Sequence, residues 1–162
     1  MMWVLIFSEL TVFGAGLAAF MAQRLVDPGG FAEAQRALLP TLAGINTIVL
    51  ITSGFFAAMA AQTGRHVRSW LSAAALLGVV FLVLKGIEFH HKAELGITFD
   101  THEFFMFYYL LTGFHAAHVV AGIGILAFVA WTSVTVHVQS GTQFWHMVDL
   151  VWVLLFPVIY LL

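Results

Sequence analysis

Five long apolar stretches, separated by short charged or turn-forming segments, constrain this chain more than any other feature of its sequence. They run Trp3–Gln23, Leu38–Ala61, Ser69–Phe89, Phe104–Trp131 and Trp145–Leu162. Each approaches or exceeds the roughly 20 residues needed to cross a bilayer core. Backbone polar groups in lipid must be satisfied within each segment, which makes every stretch a helix. The expected fold is therefore all-α: a single transmembrane domain, residues 1–162, formed as an integral membrane bundle of five helices. The stretch Phe104–Trp131 would be roughly 42 Å long at about 1.5 Å per residue, so it should tilt or protrude.

The whole chain agrees. It is 62% hydrophobic and 9% charged, with a mean hydropathy of +1.00, whereas soluble domains carry about 25% charged residues. A net charge of −2 gives no nucleic-acid footprint. The absence of cysteine excludes disulfides, thiolate metal sites, iron–sulfur clusters and thiol catalysis. The first stretch reads as a span rather than a cleaved leader: it continues too far, lacks a basic start and contains Glu9. Lys and Arg are spread almost evenly over the two sets of loops, so charge leaves the orientation open.

Four charged residues fall inside the apolar stretches: Glu9, Lys85, Glu88 and Asp149. Each costs a few kcal/mol, about 2.5–3.5 on insertion scales, if left at the bilayer centre. Lys85 and Glu88 are three apart and share a helix face, so a structural pair is the preferred reading. Glu9 sits roughly 9 Å into the first helix without a basic residue nearby in sequence. Its carboxyl should be neutral or be paired by another helix. Glu9, Glu88 and Lys85 are the candidates for a proton- or lipid-associated role.

Two histidine pairs complete the set. His115 and His118 share a face of the fourth helix, extended by Gly122, and His146 and Asp149 share a face of the fifth. These spacings predict a structural polar cluster that joins the two helices, with the glycine permitting close approach. A second reading uses the histidines as axial ligands of a b-type haem, which needs His on two helices around one cavity. A third is a small proton-coupled transporter using Glu9, Lys85 and Glu88, although no inverted repeat accompanies them. The residues offer no catalytic triad, no phosphate loop and no copper or di-iron cluster.

Two motifs resemble a known family. Leu111-Thr112-Gly113-Phe114-His115-Ala116-Ala117-His118-Val119 is similar to the T-G-F-H-x-x-H-V stretch of cytochrome c oxidase subunit III. Trp145-His146-Met147-Val148-Asp149-Leu150-Val151-Trp152 is similar to that family's W-H-x-V-D-x-V-W stretch, and the two occur in the family's order. Softer matches are Ser8-Glu9-Leu10, Leu39-Pro40 followed by Asn46-Thr47, and Leu84 through Glu88-Phe89. The mitochondrial type has seven helices. The resemblance is therefore to the five-helix branch, and the ending Phe156–Leu162 looks closest to the NorE protein associated with nitric oxide reductase.

The resemblance implies a non-catalytic membrane subunit or accessory protein of a respiratory haem–copper oxidoreductase, supporting assembly, stability or proton uptake. It implies no haem or metal of its own, with phospholipid as a bound component. The implied partners are membrane lipids and a catalytic haem–copper subunit, either oxidase subunit I or the large subunit of nitric oxide reductase. It places the chain in the cell inner membrane with its N-terminus cytoplasmic and C-terminus periplasmic. It also makes Glu9 the counterpart of a glutamate that reacts with carbodiimide.

Overall fold

A computed structural model describes residues 1–132 and 134–162. Its helices are α1 (Met2–Val26), α2 (Pro28–Gln35), α3 (Pro40–Thr63), α4 (Val67–Glu94), α5 (Glu103–Thr132) and α6 (Thr135–Phe156), and α6 runs on into a π-helical turn, Pro157–Leu161. Five of these units are long and apolar enough to cross a membrane. No strand occurs among the described residues.

The helix breaks follow local chemistry. Pro28 and Pro40 stand in the first turns of α2 and α3, where a missing N–H costs nothing and the fixed φ suits the helix. The Asp27 carboxylate accepts from the Gly30 N–H at 3.0 Å and caps α2. Gly64 ends α3 at φ 60°. Gly96, at φ 71°, turns the chain after α4 while Ile97 N–H donates to Lys92 O at 3.0 Å, closing the helix end in the left-handed manner glycine permits.

Three features differ from the sequence expectation. The loop expected between the first two spans contains the short helix α2. The third span continues past Phe89 to Glu94, so His90, His91, Lys92 and Glu94 are helical rather than in a loop. The fifth begins at Thr135 instead of Trp145 and takes in His137. The reason lies in packing: Val138, Gly141, Thr142 and Trp145 are all buried, so the three-to-four spacing of the inward face begins well before the apolar composition does.

Helices α3, α4, α5 and α6 form a closed ring in which each packs on the next and α6 packs back on α3. Helix α1 lies outside this ring against α5 and α6, and among its residues only Phe13 and Phe20 are buried. Trp145 occupies the ring's interior. Its indole is notched into Gly78 of α4 and Gly122 of α5; a Cβ on either glycine would come within 2.7 Å and 2.6 Å of the ring. Its Nε1–H donates to Ser53 Oγ on α3 at 3.0 Å. One side chain thereby ties all four helices together. One turn-pair along, Trp152 packs edge-on to Phe81 at 5.0 Å and donates to Thr47 Oγ1 at 2.9 Å.

Candidate polar sites within the helix bundle

The most enclosed polar site is built on α4. Lys85, Glu88 and Lys92 lie three and four residues apart on one inward face and are 2%, 1% and 1% exposed. Glu88 Oε2 accepts from Lys85 Nζ at 2.8 Å, and Glu88 Oε1 accepts from Lys92 Nζ at 2.9 Å. The hydroxyls of Tyr108 on α5 and Tyr160 in the C-terminal turn donate to the same Oε1 at 2.9 and 2.8 Å. Lys85 also donates to Tyr160 Oη at 2.6 Å and to Tyr108 Oη at 3.3 Å. All three ammonium protons of Lys85 are thus used, which is what permits so deep a burial. The rings of Trp152, Tyr108, Tyr160 and Phe89 face its charge at 4.9 to 5.4 Å.

The Lys85–Glu88 contact expected from spacing is present, but as part of a larger unit. Lys92, expected in a loop, joins the unit because α4 runs on to Glu94 and carries it onto the same face, seven residues after Lys85. Tyr108 and Tyr160 carried no local signal, because only the packing of α5 and of the terminal turn against α4 brings them in.

Glu9 is met from another helix. His118 Nε2 on α5 lies 3.0 Å from Glu9 Oε2, with the two side chains 16% and 25% exposed. His118 Nδ1 lies 2.8 Å from the Phe114 carbonyl, which can only accept, so Nδ1 carries a proton. The ring therefore presents its second nitrogen to the carboxyl. The approach is out of line: Glu9 Oε2 has no well-aligned hydrogen bond. The pair is best described as a close polar contact between α1 and α5.

His115, His118, His146 and Asp149 do not form one cluster between α5 and α6, contrary to the sequence expectation. They divide among three directions. His115 is fully enclosed, and its Nε2 is 3.0 Å from Val148 O on α6; this is the one α5–α6 contact of the set. His118 turns to α1. Asp149 turns to α3, where Gly54 makes room: a Cβ there would lie 2.0 Å from Asp149 Oδ2. His146 Nδ1 is 3.9 Å from that same oxygen, and its side chain is 46% exposed. The physical reason is helix rotation. A spacing of three places residues on neighbouring lines of a helix, and in a ring each line can face a different neighbour.

His115 is enclosed against α6, whereas His146 stands on the outer groove between α1 and α6. Among the described residues no three His, Cys, Asp or Glu side chains gather as a metal site. Near the membrane end of α5, Asp27 Oδ2 lies 3.3 Å from His102 Nε2, and His102 Nδ1 accepts from Phe104 N–H at 3.0 Å. Gln23 Nε2 donates to Glu103 alongside. These contacts fasten the α1–α2 corner to the start of α5.

Comparison with known proteins gives a consistent result. The family described as "Cytochrome c oxidase subunit III" matches residues 2–162. Cytochrome c oxidase subunit 3 of Synechocystis sp. is 33% identical over 169 residues, covering 96% of this chain and 71% of that protein. Cytochrome c oxidase subunit 3 of Corynebacterium diphtheriae is 33% identical over 174 residues, covering 97% of this chain and 84% of that one. Cytochrome bo(3) ubiquinol oxidase subunit 3 of Pseudomonas aeruginosa is 28% identical over 173 residues, covering 99% and 82%.

Proposed function

The chain belongs to the cytochrome c oxidase subunit III family, and on that premise we propose that it is a non-catalytic membrane subunit of a respiratory haem–copper oxidoreductase. Its work is to support assembly, stability or proton uptake beside a catalytic haem–copper subunit, which would be oxidase subunit I or the large subunit of nitric oxide reductase. The observation that carries this reading is how the buried ionisable groups are used. Lys85, Glu88 and Lys92 are spent on one another and on two tyrosines. One ring nitrogen of His115 is held by a backbone carbonyl. This is the economy of a scaffold.

Glu9 is the group that suits a proton-handling role. It lies five residues from the middle of the span Met2–Val26, is partly open, and faces one histidine. A lipid component is supported on another face of the bundle. A groove of about 470 Å³ between α4 and α5 is lined by Ser72, Ala75, Leu76, Ala127 and Trp131, with Arg68 at its mouth. An acyl chain suits the small apolar lining, and a guanidinium suits a phosphate headgroup. The reading places the chain in the inner membrane with a cytoplasmic N-terminus.

The test is affinity purification in mild detergent, with mass spectrometry of the co-purifying subunits. A haem–copper catalytic subunit in fixed ratio is the expected result, and turnover with dioxygen or nitric oxide then identifies the acceptor. A Soret band in the isolated chain would overturn the assignment in favour of a haem-bearing protein.

A further inference from the structure

The two halves of the helix ring differ in how their buried polar atoms are served. At the level of Trp145 the set closes on itself. The indole N–H donates to Ser53 Oγ at 3.0 Å, and the Ser53 hydroxyl donates to the Ala74 carbonyl at 2.7 Å. Two turns along α6, at the level of Trp152, the set stays open. His115 Nδ1 and Asn46 Oδ1 are buried there with no hydrogen-bond partner among the described residues, in side chains that are 0% and 2% exposed. They flank Phe81: the Asn46 amide donates to the Phe81 carbonyl at 3.4 Å, and the His115 imidazole packs edge-on to the Phe81 ring at 5.6 Å.

Both unmatched atoms are acceptors. His115 Nε2 faces Val148 O at 3.0 Å; a carbonyl cannot donate, so Nε2 carries the proton and Nδ1 is a bare lone pair. Turning the Asn46 amide over would set its oxygen against the Phe81 carbonyl, so the nitrogen stays there and Oδ1 needs a donor. The neighbouring donors are engaged elsewhere. Trp152 N–H donates to Thr47 Oγ1, and the Thr47 hydroxyl donates to the Ala43 carbonyl. The Thr112 hydroxyl donates to the Tyr108 carbonyl, and the Lys85 protons are taken by Glu88, Tyr108 and Tyr160. Buried acceptors left unmatched are rare, because enclosure removes the hydrogen bonds water would give them.

We propose that this half of the helix ring binds internal water, whose O–H groups donate to His115 Nδ1 and Asn46 Oδ1. The enclosure selects the ligand. No side chain of another subunit reaches groups so fully covered, so the donor must be a small molecule. A metal cation also suits two acceptors, but the adjacent ion unit holds two ammonium groups against one carboxylate and repels it. That unit is close: the Trp152 ring lies 5.1 Å from the His115 imidazole and 4.9 Å from Lys85 Nζ. The bundle core is thus wet on the side of Lys85 and dry on the side of Trp145. The site depends on the bundle's own geometry and not on which catalytic subunit the chain accompanies.

The experiment is radiolytic labelling of the full chain in mild detergent. A short X-ray pulse splits water into hydroxyl radicals, which oxidise the side chains that water touches, and peptide mass spectrometry reads each position. Trp152 and Trp145 are the same residue type and are 1% and 0% exposed, so burial alone labels them alike. Trp152 should be oxidised several-fold more than Trp145, with Phe81 modified beside it. A double variant, His115→Phe with Asn46→Leu, removes both acceptors and should lose the labelling at Trp152 and Phe81 while Trp145 is unchanged. Equal labelling of the two tryptophans in the unaltered chain overturns the inference. Labelling of Trp152 that persists in the folded double variant overturns it too. If the double variant fails to fold, the comparison of the two tryptophans in the unaltered chain decides.

Discussion

The Tyr160 hydroxyl donates to Glu88 Oε1 at 2.8 Å across 72 residues of sequence. That bond joins the C-terminal turn to the last turns of α4 and completes the set of donors around one buried carboxylate. It also means that Glu88 holds two ammonium groups at once, Lys85 and Lys92.

Glu88→Gln should therefore be severe. It leaves two buried ammonium groups without a counter-charge, a loss of about 3–5 kcal/mol. Tyr160→Phe removes the hydrogen bond to Glu88 and the acceptor of one Lys85 proton, and should cost at least about 1.5–3 kcal/mol. Neutralising Lys85 and Glu88 together should recover little, because Lys92 is then stranded; neutralising all three should recover more. Thermal unfolding in detergent checks the order. Equal stability of the double and triple variants would remove Lys92 from the unit.

Dicyclohexylcarbodiimide, which enters from the membrane and modifies protonated carboxyls, should label Glu9 and spare Glu88. The Glu9 side chain is 25% exposed beside one histidine, whereas Glu88 is 1% exposed and held by two ammonium groups. Peptide mapping after labelling decides this. Modification of Glu88 with Glu9 untouched would contradict the arrangement.

Alanine substitutions at glycines should separate by position within α5. Gly122→Ala puts a methyl 2.6 Å from Trp145 Cε3, and overpacking of this kind costs about 1–3 kcal/mol. Gly124→Ala meets nothing within 4 Å, so it should gain about 0.5–1 kcal/mol from helix propensity. Melting temperatures of the two variants should move in opposite directions.

Asp27→Ala should loosen the α1–α2 corner, because it removes both the cap on Gly30 N–H and the contact with His102. A lost cap costs about 0.5–2 kcal/mol. Faster trypsin cleavage after Arg36 is the expected readout, with Asp27→Asn nearer to wild type because its side chain still accepts.

What the sequence determined by itself was set by solvent. Lipid forces each long apolar stretch into a helix, so the five spans, the all-α class and the pairing of Lys85 with Glu88 were legible from composition and spacing alone. The ends of the helices were less so. Lys92 and the residues Thr135 to Phe144 read as loop because they are polar, yet they extend buried faces of α4 and α6.

Only the tertiary structure decided who meets whom. Periodicity states that His115 and His118 lie near each other on one helix, and likewise His146 and Asp149. It does not state how far each helix is rotated within the ring. That rotation is fixed by glycine notches and large rings, Gly54 opposite Asp149 and Gly78 and Gly122 around Trp145. It sends His118 to Glu9, His115 to Val148 and Asp149 to α3. A hydrogen bond depends on tenths of an ångström between distant segments, whereas a helix in lipid depends only on the segment itself.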